Sequence, residues 1–440
     1  MLEKLFRLKE LDTSVRREVI AGCTTFMTLS YIIFVNPGLL SLAGMDSDSV
    51  MVATCVSSAL AMFLMGFLTN YPIALAPGMG INAYFVFNLC LGLGIPWQEA
   101  LGIVFISGAL FVLLSLVGVR ETLMNSLPSS LQNAMAGGIG LFIAFIGLQM
   151  SGIVVSDSAT FVALGNLGST PVLLALAGIM ITLLLMARKV PGAILIGILV
   201  AAVLNLAFGL VKFEGIVSAP PSIAPTFFAL RFPDFSQMAL IPVIFVFFSV
   251  DMFDSVGTFT ATSQQAGLLQ YGRLPKARNA LLADAVGSTG GALLGTSTVT
   301  SYIESASGIA TGGRTGLTTI VTGLLMLVAL FFSPLIKIVG GGYAVSPGVT
   351  LYPVIAPALI VVGCLMLKPI VNIKWDDITE AIPAFLCLVM MPFSFSITDG
   401  IALGFISTAI LKIATNRRKE VHEFIYYFAV FFIARYIGFA

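Results

Sequence analysis

Residues 71–85 read Tyr71-Pro72-Ile73-Ala74-Leu75-Ala76-Pro77-Gly78-Met79-Gly80-Ile81-Asn82-Ala83-Tyr84-Phe85. Pro72 and Pro77 each remove a backbone donor and restrict the preceding residue, so this apolar stretch cannot open as a regular helix. It is expected to run extended and to turn helical from about Gly78. A second stretch, Thr296-Ser297-Thr298-Val299-Thr300-Ser301-Tyr302-Ile303, is dense in β-branched residues. It too is expected to be extended, leading into a half-helix from about Glu304-Ser305-Ala306-Ser307-Gly308. These two interruptions govern the reading of everything around them.

The surrounding chain is apolar. Of 440 residues, 58% are hydrophobic and 10% charged, and the mean hydropathy is +1.04. Soluble domains carry about 25% charged residues, so a globule of this composition would expose large apolar patches and aggregate. Its solvent is lipid. A net charge of +1 leaves no basic surface for nucleic acid. Cys23, Cys55, Cys90, Cys364 and Cys387 all lie in apolar segments without CxxC spacing, and His422 is the one histidine. The cysteines read as small core hydrophobes, and nothing calls for a metal or cofactor.

A helix needs ~20 apolar residues to cross a bilayer core. Apolar stretches between punctuation fall at 18–42, 50–69, 97–119, 131–154, 170–187, 192–211, 237–262, 280–296, 315–336, 352–369, 380–397 and 398–415. With the broken segments 71–94 and 296–313, the chain makes fourteen crossings. The expected organisation is a cytoplasmic segment 1–17, seven spans over 18–211, an outer loop 212–236, seven spans over 237–415, and a cytoplasmic or interfacial tail 416–440.

Cationic residues test this map, because cytoplasmic loops collect Lys and Arg. With the N-terminus inside, Lys4, Arg7, Lys9, Arg16 and Arg17 are cytoplasmic. So are Arg120, Arg188, Lys189, Arg273, Lys276, Arg278, Arg314, Lys368, Lys374, Lys412, Arg417, Arg418 and Lys419. Only Lys212, Arg231 and Lys337 fall outside, with Arg435 unassigned. One missed crossing would flip every later loop and scramble this asymmetry. The first apolar segment is too long for the core of a cleaved signal peptide and is read as a span.

The breaks fall third in the first seven crossings and third in the second seven. An odd number of spans per half inverts the second half, so the pattern points to an inverted repeat. Paired broken helices in matching positions mark a transporter's central site, and non-helical backbone at membrane depth must be buried in protein or line a cavity.

Asp251, Asp254, Asp284 and Glu304 also fall within apolar spans, and an intramembrane acid is a functional candidate by default. Asp251 and Asp254, three apart, share one helix face. Glu304 stands where the second extended piece meets its half-helix. Asp284, near Arg278, reads equally well as a cap or salt-bridge partner. No Lys or Arg falls deep inside a span, which disfavours an anionic substrate. A flat heteroaromatic ring rich in N–H donors fits instead, since a carboxylate can accept from one ring edge. Tyr84, Phe85, Phe253 or Tyr302 could stack on its face. The glycine-rich run Gly287–Gly295 lies within a span and reads as close helix packing, not phosphate binding.

In these residues the chain resembles the nucleobase–cation symporters of the second class, the bacterial and fungal hypoxanthine/guanine/adenine permease branch. The resemblance spans nearly the whole length. It rests on Thr24-Thr25-Phe26, Val35-Asn36-Pro37, Ala76-Pro77-Gly78-Met79-Gly80-Ile81-Asn82-Ala83, Phe253-Asp254-Ser255-Val256-Gly257-Thr258, Gly295-Thr296-Ser297-Thr298 and Ser301-Tyr302-Ile303-Glu304-Ser305. It implies an all-α polytopic fold of seven plus seven inverted spans with core and gate domains, a homodimer in the inner membrane, and proton-coupled purine uptake. Carried over by motif, Asp254 and Glu304 hold the base, Asn82 matches the polar residue of the third span, and Tyr302 lines the site with its backbone. Thr24, Phe85 and Ile303 join them as substrate-binding candidates. The Gln-His pair that the uracil and xanthine branches carry in the first span is absent, so proton coupling falls to Glu304, Asp251 or Asp254. The stretch Gly78–Asn82 resembles hypoxanthine/guanine members more than adenine-specific ones.

The expected cycle has a proton neutralise Glu304 or Asp251 from outside. Asp254 and Glu304, with Asn82, then hold the purine between the broken helices while the core moves against the gate. The rivals are an anion transporter of the same architecture, a channel, and an intramembrane aspartyl hydrolase. The last needs two facing acids on different helices and a Gly-x-Gly-Asp stretch that the chain lacks.

Overall fold

The computed structural model describes the chain except residues 1, 118–127, 212, 214, 234–243, 245–246, 249–250, 253–254, 256–257, 260–261, 264, 269–273, 341, 347–348 and 439–440. Seven described helices are long and apolar enough to cross a membrane, among them Val15–Ser41, Ser47–Thr69 and Ser129–Met150. Shorter apolar helices include Met79–Gly92, Ala193–Ala207 and Ile378–Phe393. The eighth span is described only in part, through helical residues such as Phe247, Asp251 and Ser255.

The helices pack as two groups, each drawing on both halves of the chain. In one, Ser47–Thr69 lies between Ala277–Leu294 and Gly316–Ala329. Val15–Leu29 joins Gly316–Ala329, and Trp97–Val117 covers Ala277–Leu294. In the other, Ser129–Met150 packs on Ala356–Leu365 and Ile378–Phe393. Thr170–Ala187 meets Ala193–Ala207, and Ile378–Phe393 meets Ile397–Ala414. This is the expected core and gate division. Spans distant in sequence become neighbours because an inverted repeat interleaves its halves.

Both interruptions form as expected. The second span ends at Asn70 in the left-handed conformation (φ 62°), and the chain runs extended through Pro72 to the strand Leu75–Pro77 before turning helical at Met79–Ala83. From Tyr84 to Gly92 the helix widens to i→i+5 hydrogen bonding. The second break gives the strand Val299–Ser301 and the half-helix Ser305–Ala310.

The two strands pair with each other, antiparallel, with Leu75 opposite Ser301, Ala76 opposite Thr300 and Pro77 opposite Val299. Gly78 N donates to Thr298 O and Tyr302 N to Ala74 O, each at 3.0 Å. Hydroxyls serve the remaining edges. Ser305 Oγ accepts from Ala74 N at 2.9 Å, while Ser288 Oγ donates to Val299 O at 2.8 Å and Thr319 Oγ1 to Tyr71 O at 2.8 Å. Without these partners, backbone freed from helical bonding would be stranded in low dielectric. The glycine run packs as expected, since a Cβ at Gly287 would crowd Ala61 and Val299, and one at Gly291 the carbonyl of Ser297.

Two features were not anticipated. Two connections fold into hairpins, Val154–Asp157 with Phe161–Leu164 and Tyr343–Ser346 with Val349–Leu351. The tail also does not stay beside the basic end of the last span. After a tight turn at Arg418–Glu420, the helix Phe424–Gly438 runs back along Ile397–Ala414, packing Phe428 edge-on and Phe432 tilted against Phe405. Its far end brings Tyr436 OH within 2.7 Å and Arg435 Nη1 within 3.5 Å of Asp399 Oδ1. The sequence reading expects a cytoplasmic or interfacial tail here; a partner helix lets this short apolar segment retrace a longer one.

Candidate substrate site at the strand crossing

The strand crossing is walled by the first, second, ninth and eleventh spans, and its residues Leu75–Pro77 and Val299–Ser301 are buried throughout. Ser301 Oγ donates to Ser255 O at 3.2 Å, which sets the eighth span beside the second strand. Glu304 follows that strand by three residues and is only half-buried. Tyr31 OH donates to Glu304 Oε1 at 2.8 Å. Thr28 reaches the same turn, its Oγ1 lying 2.8 Å from Ser307 Oγ and 3.4 Å from Glu304 O.

Tyr31 stands at an interruption in the first span: helix Val15–Leu29 stops, Ser30 and Tyr31 intervene with right-handed helical dihedrals, and Ile32–Ser41 restarts. The first span and the half-helix are in close apposition, since a Cβ at Gly308 would collide with the Ala21 carbonyl and the Thr25 hydroxyl.

A second polar knot lies on the other side of the crossing. Asn82 Nδ2 donates to Asn36 Oδ1 at 2.6 Å, and Ser297 Oγ donates to Asn82 Oδ1. Asn36 Nδ2 in turn donates to Thr54 Oγ1 at 2.7 Å and to Thr296 Oγ1 at 2.8 Å. All five residues are fully buried. Buried amides cost little only when their donors and acceptors are met, and here four spans meet them.

The other sequence candidates divide. Tyr302 is buried with its hydroxyl on Pro77 O, across the strand pair. Phe85 is fully enclosed in the apolar core in this conformation. Tyr84 is equally enclosed, with its hydroxyl accepting from Thr398 Oγ1 at 2.9 Å. Thr24 turns its hydroxyl to Ile20 O of its own helix. Ile303, 50% exposed, stands open beside Glu304. Asp251 is fully buried in the eighth span. Asp254 and Phe253 lie outside the described residues. Asp284 takes the Ser255 hydroxyl at 3.0–3.1 Å, while Arg278 donates to the Leu116 carbonyl.

Sequence reading did not single out Tyr31, Thr28, Ser307, Asn36 or Thr54. Asn36 carried a usable signal, a carboxamide inside an apolar span, but its partners lie up to 260 positions away.

The Permease family model matches residues 16–403. The guanine/hypoxanthine permease PbuG of Bacillus subtilis (strain 168) is 46% identical over 448 residues, covering 99% of this chain and 99% of the relative. The adenine permease AdeP of Escherichia coli (strain K12) is 43% identical over 438 residues, covering 99% and 96%. In fold, the chain is similar to the transmembrane domain of a cyanobacterium bicarbonate transporter, BicA. That likeness has a TM-score of 0.60 at 14% identity and covers 90% of this chain and 96% of that one.

Proposed function

The chain belongs to the permease family, in the branch that includes guanine/hypoxanthine and adenine permeases, and on that premise we propose that it carries purine nucleobases across the cell membrane by alternating access. The observation that supports this best is Glu304, a half-buried carboxylate beside two paired strands, with no Lys or Arg side chain hydrogen-bonded to it among the described residues. A carboxylate that no Lys or Arg side chain engages by hydrogen bond suits a neutral ring with N–H donors.

In this reading Glu304 and Asp254 hold the N–H edge of hypoxanthine or guanine, with adenine also accepted. Asn82 shapes the third-span side through its bonds to Asn36 and Ser297, and Tyr302 and Ile303 border the ring. A proton taken by Glu304, Asp251 or Asp254 keeps loaded and empty states neutral, so no uncompensated charge crosses low dielectric when core moves against gate. The protein works as a homodimer in the inner membrane with its N-terminus cytoplasmic.

The architecture is shared with a bicarbonate transporter, so the test carries an anion arm. Detergent-purified protein is heated with hypoxanthine, guanine, adenine, bicarbonate or sulfate, and proteoliposomes are assayed for labelled hypoxanthine uptake under an inward proton gradient. Purine stabilisation and proton-driven accumulation are expected. Stabilisation by the anions alone would replace this reading with an anion carrier, and dependence on Na⁺ would reassign the coupling ion.

A further inference from the structure

We propose that Tyr31 is a positioning residue for Glu304, fixing the carboxylate so that the site discriminates among purine ring edges; this rests on the purine reading above. The geometry is specific. The phenol comes from the interruption in the first span, is 1% exposed, and donates to Oε1 at 2.8 Å. Thr28 and Ser307, one turn away, join the same two elements at 2.8 Å, and Gly308 lets them close. A Glu side chain has three rotatable bonds, and one only half-buried would sample several rotamers. Tyrosine has a rigid ring and two torsions, so a buried phenol holds its partner with little entropy left to lose.

With Oε1 engaged, the carboxylate meets a ligand mainly through its other oxygen, as a directional acceptor for one ring N–H. A mobile carboxylate would tilt to accommodate whichever N–H a purine offers. Tyr31 therefore governs selectivity among ring edges more than it governs folding.

The test compares wild type with Tyr31→Phe, which removes only the hydroxyl. Affinities are measured for hypoxanthine and for its 1-, 7- and 9-methyl analogues, each of which blocks or shifts one ring N–H. Tyr31→Phe is expected to weaken hypoxanthine binding about three- to tenfold. Binding of the analogue that wild type rejects most strongly should be unchanged, so the discrimination ratio contracts by the same factor. Thr28→Ala, which spares the carboxylate, should leave that ratio intact. Equal weakening of all ligands, or no change, overturns the proposal, because a general packing defect does not alter a ratio. If Tyr31→Phe does not fold, Glu304→Asp, which withdraws the carboxylate from the phenol, must contract the ratio, and an unchanged ratio overturns the proposal. Failure of wild type to bind any purine is a separate result that overturns the transport reading.

Discussion

Asn82 donates its side-chain amide to Asn36 Oδ1 across 2.6 Å, tying the helix that follows the first strand to the middle of the first span. Both residues are fully buried, and Ser297, two residues before the second strand, closes on the same amide. The third-span polar residue is thus a structural tie between the two broken segments as well as a candidate ligand.

Asn36→Ala is expected to destabilise the protein by about 1–3 kcal/mol, because it strands Asn82, Thr54 and Thr296 in a dry interior. The apparent Tm of purified protein should fall although Asn36 carries no assigned contact with substrate. An unchanged Tm would mean that the knot is dispensable.

Glu304→Gln and Asp254→Asn should each abolish accumulation of labelled hypoxanthine in proteoliposomes. Glutamine keeps the shape of the side chain but loses both the charge and the exchangeable proton. Full uptake by either variant would remove that residue from the site.

Gly308→Val should push the half-helix away from Ala21 and Thr25. Overpacking of this kind costs about 1–3 kcal/mol, and it also lengthens the Tyr31–Glu304 contact. Uptake should fall further than Tm does. Parallel losses would argue that the apposition matters for folding alone.

At the end of the last span, Arg417 grips Asp377 with two nitrogens, at 2.8 and 3.0 Å, and also reaches Glu420. Both carboxylates lie outside the spanning helices. The Arg417 bonds, aided by Thr379 for Asp377 and by Lys412 for Glu420, hold them below the usual carboxylate range. A lowered folded value stabilises above the ordinary range and is lost as pH falls through that lowered value. The Tm difference between wild type and Arg417→Gln should therefore be full at pH 7 and shrink below about pH 4. A difference that does not vary with pH would show that Arg417 acts by packing.

The returning helix predicts an accessibility pattern. Asn416 lies at the basic end of the last span, while Ile437 lies at the end where Asp399 meets Arg435. In a background without native cysteines, Asn416→Cys and Ile437→Cys should react with impermeant thiol reagents from opposite sides of the membrane. Labelling of both from one side would show that the helix does not cross.

That the chain is membrane-embedded, that it is interrupted twice, and where those interruptions fall can all be read from residue order. Pro72, Pro77 and the β-branched run at 296–303 act on their own backbone, and hydropathy sums over neighbours, so local composition suffices. The motif at 301–305 also placed Glu304 at the mouth of a half-helix. Which side chains meet there emerges only from the packed helices. Tyr31 reaches Glu304 across 273 positions and Asn36 reaches Thr296 across 260, because two inverted halves interleave. Such pairings depend on helix rotation and on the two-residue interruption at Ser30–Tyr31, neither of which leaves a periodic trace in the chain. The return of Phe424–Gly438 was hidden for the same reason: whether a short apolar helix lies flat or doubles back is settled by the groove it finds, here the one beside Phe405 and Asp399.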